Sequence, residues 1–165
     1  MSKTGNFIGV NDEHGQQPPT AGKRTPVMPY LERNIYENEF NRPAKMYCAI
    51  SLLRSGFRTF DLHPELSDVS VSTRVGRANA AGIDLLVTMA YNAFGSGRTF
   101  NSVSGQYTYY SPNSRYPSAS RQLAEDVYSA ITDDSLQTNG RGVGTLTDVG
   151  VLGSVYCPSA LVEAG

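Results

Sequence analysis

The sequence has little net charge, no long hydrophobic segment, and few histidines or cysteines. Its 14 Lys and Arg residues nearly balance 15 Asp and Glu, which leaves a formal net charge of -1. This balance argues against a nucleic-acid groove or an anionic-membrane patch as the main functional surface. No segment is long and apolar enough to span a bilayer. The function must therefore come from a local site.

The N-terminus and the cysteines bear on the cellular compartment. No apolar run follows Lys3, so no secretory signal is visible, and we expect either cytosolic synthesis or a targeting segment missing from this sequence. Cys48 and Cys157 lie far apart in apolar surroundings. We expect two buried free thiols, with a disulfide as the alternative.

The length of 165 residues corresponds to one domain with a sizeable core. The apolar run within 84–93 predicts the central strand of a parallel sheet, buried on both faces. Strands are also predicted at 7–10, 57–62, 106–110, within 143–152 and at 159–163; helices are predicted at 37–55 (beginning near Asn41), 71–81 and 118–132. The alternation of strands and helices predicts a single α/β domain, a mostly parallel twisted sheet with helices on both faces.

In open α/β sheets, ligands bind beyond the carboxyl ends of the strands. The site should therefore lie close to Ala90, Tyr91 and Asn92. His14 directly follows the first strand, where it could be a solvated loop residue or a metal ligand. His63 is expected in an exposed turn, because Pro64 and acidic residues flank it.

Three glutamates are candidates for chemistry. Glu37 opens the first long helix, where an acid normally caps the helix or interacts with its dipole. It could instead bind a cation together with His14, and Glu39 competes for either role. Glu163 ends an apolar strand, where a carboxylate is costly unless it is hydrated, paired or functional.

Six segments carry a family resemblance through their order along the chain. They are Asn-Asp-Glu-His-Gly at 11–15; Glu37 with Asn41; Arg-Val-Gly-Arg-Ala-Asn and Ala-Gly-Ile-Asp-Leu within 74–85; Tyr-Tyr-Ser at 109–111; Arg-Gly-Val at 141–143; and Pro-Ser-Ala-Leu-Val-Glu-Ala-Gly at 158–165. Together they resemble the catalytic domain of zinc-dependent N-acetylmuramoyl-L-alanine amidases, which occur among bacterial autolysins and phage endolysins. In that family the first of these segments usually reads Asp-x-Gly-His-Gly.

The resemblance implies a peptidoglycan hydrolase. It assigns His14 and Glu37 as Zn²⁺ ligands and Glu163 as the general base and proton donor. The bond cut would join the lactyl group of N-acetylmuramic acid to L-alanine of the stem peptide. The loops at 15–36 and 94–116 border the expected site, and Tyr91, Asn92 and Arg98 are the expected substrate contacts.

One position departs from the family. The third zinc-ligand histidine is replaced by Ala90, so we expect Zn²⁺ binding to be weak or absent and the enzyme to be impaired. We favour a deliberate His→Ala substitution, since Tyr91-Asn92-Ala93 and Glu163 are intact. A natural pseudo-enzyme, or recruitment of another ligand such as Glu39 or a substrate group, are the alternatives.

The expected partner is peptidoglycan or a muropeptide, bound by a monomer without nucleic acid or membrane. A non-catalytic peptidoglycan-binding module on the same fold, or a generic α/β ligand-binding domain, are the competing functions. The expected place of action is the bacterial cell wall, reached as an endolysin would reach it or after removal of a signal. Residues 1–165 would form one amidase-like domain, and the family usually continues into a terminal helix beyond the position of Gly165.

Overall fold

A computed structural model describes residues 6–16, 23–92, 98–133 and 139–165. The N-terminal residues 1–5 and parts of the predicted loops, at 17–22, 93–97 and 134–138, lie outside this description. The described elements are, in chain order, β1 (Phe7–Asp12), α1 (Asn38–Arg54), β2 (Arg58–Asp61), α2 (Val71–Ala81), β3 (Leu85–Tyr91), β4 (Gln106–Tyr110), α3 (Pro117–Asp133), β5 (Gly140–Thr145), α4 (Gly150–Gly153) and β6 (Ser159–Ala164).

The strands form one sheet in the order β2-β1-β3-β6-β4-β5. All neighbouring pairs are parallel except β4 and β6, which are antiparallel. The strand β3 lies between β1 and β6, and most of its residues are buried. This confirms the predicted central strand. The carboxyl ends of β1, β3 and β6 consequently meet at one edge of the sheet.

The alternation of side chains along β3 separates two packed layers. Tyr91 stacks on Phe40 of α1, with ring centroids 4.5 Å apart. On the other face, Leu86 and Ala90 join a core cluster with Leu161 of β6 and residues of α2 and α4. Helices therefore cover both faces, which confirms the predicted architecture.

Two element predictions were wrong in detail. The helix α1 begins at Asn38, three residues before the predicted start, because the amides of Glu39 and Phe40 already bond to carbonyls at Tyr36 and Glu37. Within 143–152, the predicted strand is present at 143–145, as the end of β5, but the single turn α4 stands where a second strand was possible. The apolar residues Val151 and Leu152 are buried in the core from this turn, so their apolar character reflected packing and not extended backbone.

Neither Cys48 nor Cys157 forms a disulfide, as predicted, although Cys48 is only half-buried. Burial raises the pKa of the Cys48 thiol, which favours its protonated form. Among the described residues, the helices are too short or too polar to traverse a bilayer.

Candidate metal centre and substrate groove

The chain turns sharply after β1 and thereby places His14 at the carboxyl edge of the sheet. His14 has a φ of 62°, a left-handed conformation that is uncommon outside glycine. At the following Gly15, a Cβ atom would lie 2.1 Å from the backbone nitrogen of Asp68. Only glycine permits this close approach. The sharp turn and the close backbone contact thus explain why glycine follows His14 in the sequence motif.

Glu37 is held at the start of α1 by backbone and side-chain donors from three segments. Its carboxylate accepts hydrogen bonds from the backbone N–H of Lys23 (3.0 Å) and Tyr91 (3.4 Å), and from the Asn41 amide (3.3 Å). Only 7% of the residue is exposed. The His14 Nε2 atom lies 3.7 Å from Glu37 Oε2, so these two predicted ligands lie together.

The structure adds Glu13 to this pair. One ligand atom from each of Glu13, His14 and Glu37 lies within 4.8 Å of the others. Burial, and then the negative charges of Glu37 and Glu163, raise the pKa of Glu13 to about 7. An imidazole and two carboxylates are ligand types that bind Zn²⁺ and other divalent cations. The donor set therefore fits a metal ion, and we name these three residues the Glu13 cluster.

Sequence reasoning missed Glu13 because it was considered only as an acid beside a solvated histidine. The signal that could have identified it is the parallel pairing of the strands. Residues that directly follow β1 must lie beside the end of β3, where the site was expected. The Asn41 amide donates a hydrogen bond of 2.9 Å to the Glu13 carbonyl. This contact was also missed, because Asn41 was considered only as the expected start of the helix.

Glu163 lies at the same edge, near the end of β6. It is paired in register with Ala90 of β3, and it is half-buried. Burial, followed by the negative charge of Glu37, raises the pKa of the Glu163 carboxyl. Ala90 itself is buried in the core cluster with 5% of its surface exposed. Its methyl group cannot coordinate a metal.

Two candidates are committed to other contacts. His63 was expected on the surface, but this was wrong: it is completely buried, with ring nitrogens 3.0 Å from Asp12 Oδ1 and 2.8 Å from the Ser67 carbonyl. The turn folds back onto β1, which the local sequence did not reveal. Glu39 accepts two hydrogen bonds of 2.8 Å from Arg33, and its Oε1 atom also accepts from the backbone of Tyr36. It is therefore not a member of the cluster.

A cavity of about 230 Å³ opens beside Glu37. Tyr91 and Asn92, two predicted substrate contacts, both line it. Arg98, the third, is exposed, and its neighbours Thr99 and Phe100 line the cavity. The remaining lining residues combine apolar and polar character: Lys23, Arg24, Thr25, Pro26, Ile35, Phe40, Asn101, Val103 and Gly165. The groove thus offers apolar walls, hydrogen-bonding groups and a basic rim next to the Glu13 cluster.

Solved structures that are similar to this chain include amidases and the catalytic domain of an endolysin. An N-acetylmuramoyl-L-alanine amidase from Clostridium difficile 630 is 22% identical with a TM-score of 0.78, and the match covers 95% of this chain and 77% of that chain. The amidase AmiC2 of Nostoc punctiforme is 21% identical with a TM-score of 0.77, and the match covers 96% of this chain and 78% of that chain. The catalytic domain of the CD27L endolysin targeting Clostridia difficile is 18% identical with a TM-score of 0.71, and the match covers 95% of this chain and 79% of that chain.

The comparison with curated proteins finds no significant match. The comparison with protein families is decisive, because residues 12–165 match the family described as N-acetylmuramoyl-L-alanine amidase. That range begins at the end of β1 and includes the Glu13 cluster, the central strand and Glu163. The chain belongs to the N-acetylmuramoyl-L-alanine amidase family.

Proposed function

We propose that this chain, as one catalytic domain over residues 1–165, hydrolyses the amide between N-acetylmuramic acid and L-alanine in peptidoglycan. The observation that carries the proposal is the 3.7 Å approach of His14 to Glu37, with Glu163 at the same edge of the sheet. Family membership supports the reaction class. The place of action would be the bacterial cell wall.

The proposed cofactor is Zn²⁺, bound by residues of the Glu13 cluster. His14 and Glu37 are the ligands that the family resemblance assigns, and their donor atoms converge. When bound, the ion supplies Lewis-acid polarisation of the scissile carbonyl. The rigid hydrogen bonding of Glu37 prepares its carboxylate for this role, since little reorganisation is needed when a cation arrives.

Glu163 is proposed as the acid/base. It would accept a proton from the attacking water as the water oxygen bonds to the carbonyl carbon. It would then donate this proton to the amine nitrogen of L-alanine as the C–N bond breaks. The raised pKa of Glu163 suits both steps, because a carboxyl titrating closer to neutrality is a better proton acceptor and remains a usable donor.

The groove beside Glu37 is proposed to bind the stem peptide. The stacked rings of Phe40 and Tyr91 form an apolar wall, and Asn92 offers an amide for hydrogen bonding to peptide groups. Lys23 and Arg24 at the rim would attract carboxylates of the peptide. Arg98 remains a proposed contact of the same kind.

Ala90 is the reason to propose an impaired enzyme. In the family, an imidazole at this position is a neutral ligand. A neutral ligand leaves more positive charge on the ion, and so polarises the carbonyl more strongly, than a carboxylate of the Glu13 cluster would. We therefore expect lower turnover in this chain than in a variant with histidine at position 90. The same residue favours the second candidate, a peptidoglycan-binding pseudo-enzyme, because an alanine cannot serve as a ligand.

The test measures release of L-alanine amino groups from purified peptidoglycan by the wild-type chain and by Glu163→Gln, Ala90→His and Glu39→Gln. We expect chelator-sensitive release by the wild type and a rate at least about 100-fold lower for Glu163→Gln. Ala90→His should be faster than the wild type. The control Glu39→Gln should retain activity, since Glu39 pairs with Arg33 outside the cluster.

Binding to sacculi separates the two candidate functions. The hydrolase proposal fails if the wild type and Ala90→His both bind sacculi in the presence of a chelator and neither frees L-alanine amino groups when the chelator is absent. The pseudo-enzyme then takes its place. Release of muramic acid reducing ends in place of alanine amino groups would refute the assigned bond.

A further inference from the structure

Glu13 directly follows the last paired residue of β1, next to the end of β3 that contains Ala90. In the register of β1 and β3, Asp12 pairs with Met89, and the Glu13 backbone N–H donates a hydrogen bond of 3.1 Å to the Met89 carbonyl. One further step along both strands brings Glu13 beside Ala90. On the opposite side, Ala90 is paired with Glu163.

The side chains at this position face the same layer. Two residues earlier on each strand, Asn11 Nδ2 donates a hydrogen bond of 3.3 Å to Thr88 Oγ1. Strand alternation therefore directs Glu13 and Ala90 to that same face. Ala90 offers no donor atom on this face, whereas a carboxylate oxygen of Glu13 converges with the donors of His14 and Glu37.

Other acidic and imidazole groups near this edge are held elsewhere. Both oxygens of Glu39 are engaged by Arg33. His63 contacts Asp12 through one ring nitrogen and a backbone carbonyl through the other. Asp12 Oδ1 in turn lies 2.9 Å from Lys45 Nζ. Among the described residues, the group of converging donors at this edge is Glu13, His14 and Glu37.

The charges of the cluster also call for a cation. Two carboxylates and an imidazole have their donor atoms within 4.8 Å of one another, and Glu37 is almost completely buried. Carboxylates brought this close repel each other unless one of them is protonated or a positive charge lies between them. A divalent ion would neutralise both negative charges while using the imidazole as a third donor.

We propose that Glu13 is the third metal ligand of this chain, so that the site binds Zn²⁺ through one imidazole and two carboxylates. The choice of Zn²⁺ as the ion rests on the proposed function, whereas the ligand set rests on the cluster geometry. Recruitment of another ligand thus explains how the site binds metal without histidine at position 90, and the recruited ligand is Glu13 and not Glu39.

The experiment measures Zn²⁺ affinity of the metal-free protein by competition with a chromophoric chelator, without any substrate. The wild type should bind one equivalent. Glu13→Gln keeps the shape of the side chain but removes the charge, and it should weaken binding at least about 10-fold. The matched control Glu39→Gln removes a carboxylate in the first turn of α1, close in sequence to Glu37, and should change the affinity less than about 3-fold.

Circular dichroism of the metal-free variants should show that each remains folded. X-ray absorption of the zinc-loaded wild type should show one imidazole among the ligands. Equal Zn²⁺ affinity in the wild type and Glu13→Gln, no binding by the wild type, or two coordinated imidazoles would each overturn the assignment. If Zn²⁺ binding depends on Glu13 but no L-alanine amino groups are freed from peptidoglycan, the proposed reaction is refuted and the metal site is retained.

Discussion

At the scale of single residues, the site edge depends on a buried cation, Lys45. Only 1% of Lys45 is exposed, and its Nζ atom lies 2.9 Å from Asp12 Oδ1, 2.8 Å from Asp61 Oδ1 and 2.6 Å from the His63 carbonyl. Burial acts to raise the pKa of Asp12, but hydrogen bonds from His63 and Lys45 outweigh it and lower the pKa. These contacts fix the end of β1 directly before His14.

Replacing Lys45 by methionine should destabilise the fold by about 3–5 kcal/mol, because it leaves the Asp12 carboxylate buried without its cation. Urea unfolding at neutral pH measures the difference. Arg54→Met is the matched control on the same helix. Arg54 is an exposed cation in the last turn, and its loss should cost less than about 1 kcal/mol. Equal losses in the two variants would contradict the role assigned to the buried contacts.

The positions of candidate residues were predictable where the sequence itself carried the information. His14 after a strand and Glu163 at a strand end were candidates because parallel topology brings such positions to one edge, and Glu37 was a candidate at a helix start. The ligand and acid/base roles of these residues are predictions from the family resemblance. The environments of Glu13 and His63 could not be predicted, because they depend on contacts between segments far apart in the chain. His63 meets Asp12 across 51 residues, and nothing in its flanking Pro64 indicates that contact.

At the scale of elements, two glycines have opposite effects on α2: Gly76 lies within the helix and Gly82 caps its C-terminus. Gly82 ends the helix in a left-handed conformation with φ of 65°, whereas Gly76 lies on the exposed face within the helix. A Cβ atom at either position would meet nothing within 4 Å. Differences between alanine substitutions at these sites therefore report backbone conformation and not packing.

Gly76→Ala should stabilise the protein by about 0.5–1 kcal/mol, since alanine restricts the unfolded chain and fits the helix. Gly82→Ala should destabilise it by about 1 kcal/mol, because a side chain disfavours the left-handed conformation. Chemical unfolding of the two variants beside the wild type provides the measurement. A stabilising effect at Gly82 would show that the helix can end in another conformation.

The ion pair that connects α2 to the turn after β2 predicts a pH dependence. Hydrogen bonds from Arg77, one of them 2.9 Å to Glu65 Oε2, lower the pKa of Glu65 from 4.5 to about 2. Because the pKa is lower in the folded state, the stabilisation is present above pH 4.5 and is lost as the pH falls towards 2.

Glu65→Gln should therefore be less stable than the wild type at pH 7, and the gap should narrow between pH 4.5 and 2. The effect should be small, since both side chains are partly exposed to solvent. Urea unfolding of both proteins across this pH range gives the difference directly. A gap that stays constant as the pH falls would exclude Glu65 as its source.

Element prediction succeeded where local signals agreed. The helix α2 has a serine cap at Ser70 and a closing glycine at Gly82, and its predicted bounds are those observed. The start of α1 was expected near Asn41, whereas the observed helix begins at Asn38 and includes Pro43 in its interior. The turn α4 was misread because a short apolar run has the same appearance in a buried turn as in a strand.

At the scale of the whole molecule, the strand order determines the site. Because β3 lies between β1 and β6, the residues at their ends form one continuous edge, to which α1 contributes Glu37. The alternation of elements predicted this parallel sheet, and the family resemblance predicted the ligands. The neighbours of β3 could not be read from alternation alone, since β6 is the last strand of the chain. Without that order, the proximity of Glu13 to Ala90 could not be derived.

Metal binding should therefore stabilise the entire fold. If the Glu13 cluster binds Zn²⁺ only in the folded protein, free Zn²⁺ at about 100 times its dissociation constant adds about 2.7 kcal/mol. For a chain of this size, this corresponds to a rise in Tm of roughly 5–10 °C over the chelator-treated protein. Differential scanning calorimetry with buffered Zn²⁺ measures the shift.

The same titration on Glu13→Gln ties the stabilisation to the ligand. At equal free Zn²⁺, a tenfold loss of affinity reduces the gain by about 1.4 kcal/mol, so the rise in Tm should be roughly half that of the wild type. Glu39→Gln should shift as the wild type does. Zn²⁺ binding to Cys48, Cys157 and the histidines of the unfolded chain is common to all three proteins and does not affect their comparison. An undiminished shift in Glu13→Gln would mean that the ion binds without this carboxylate and that another donor serves as the third ligand.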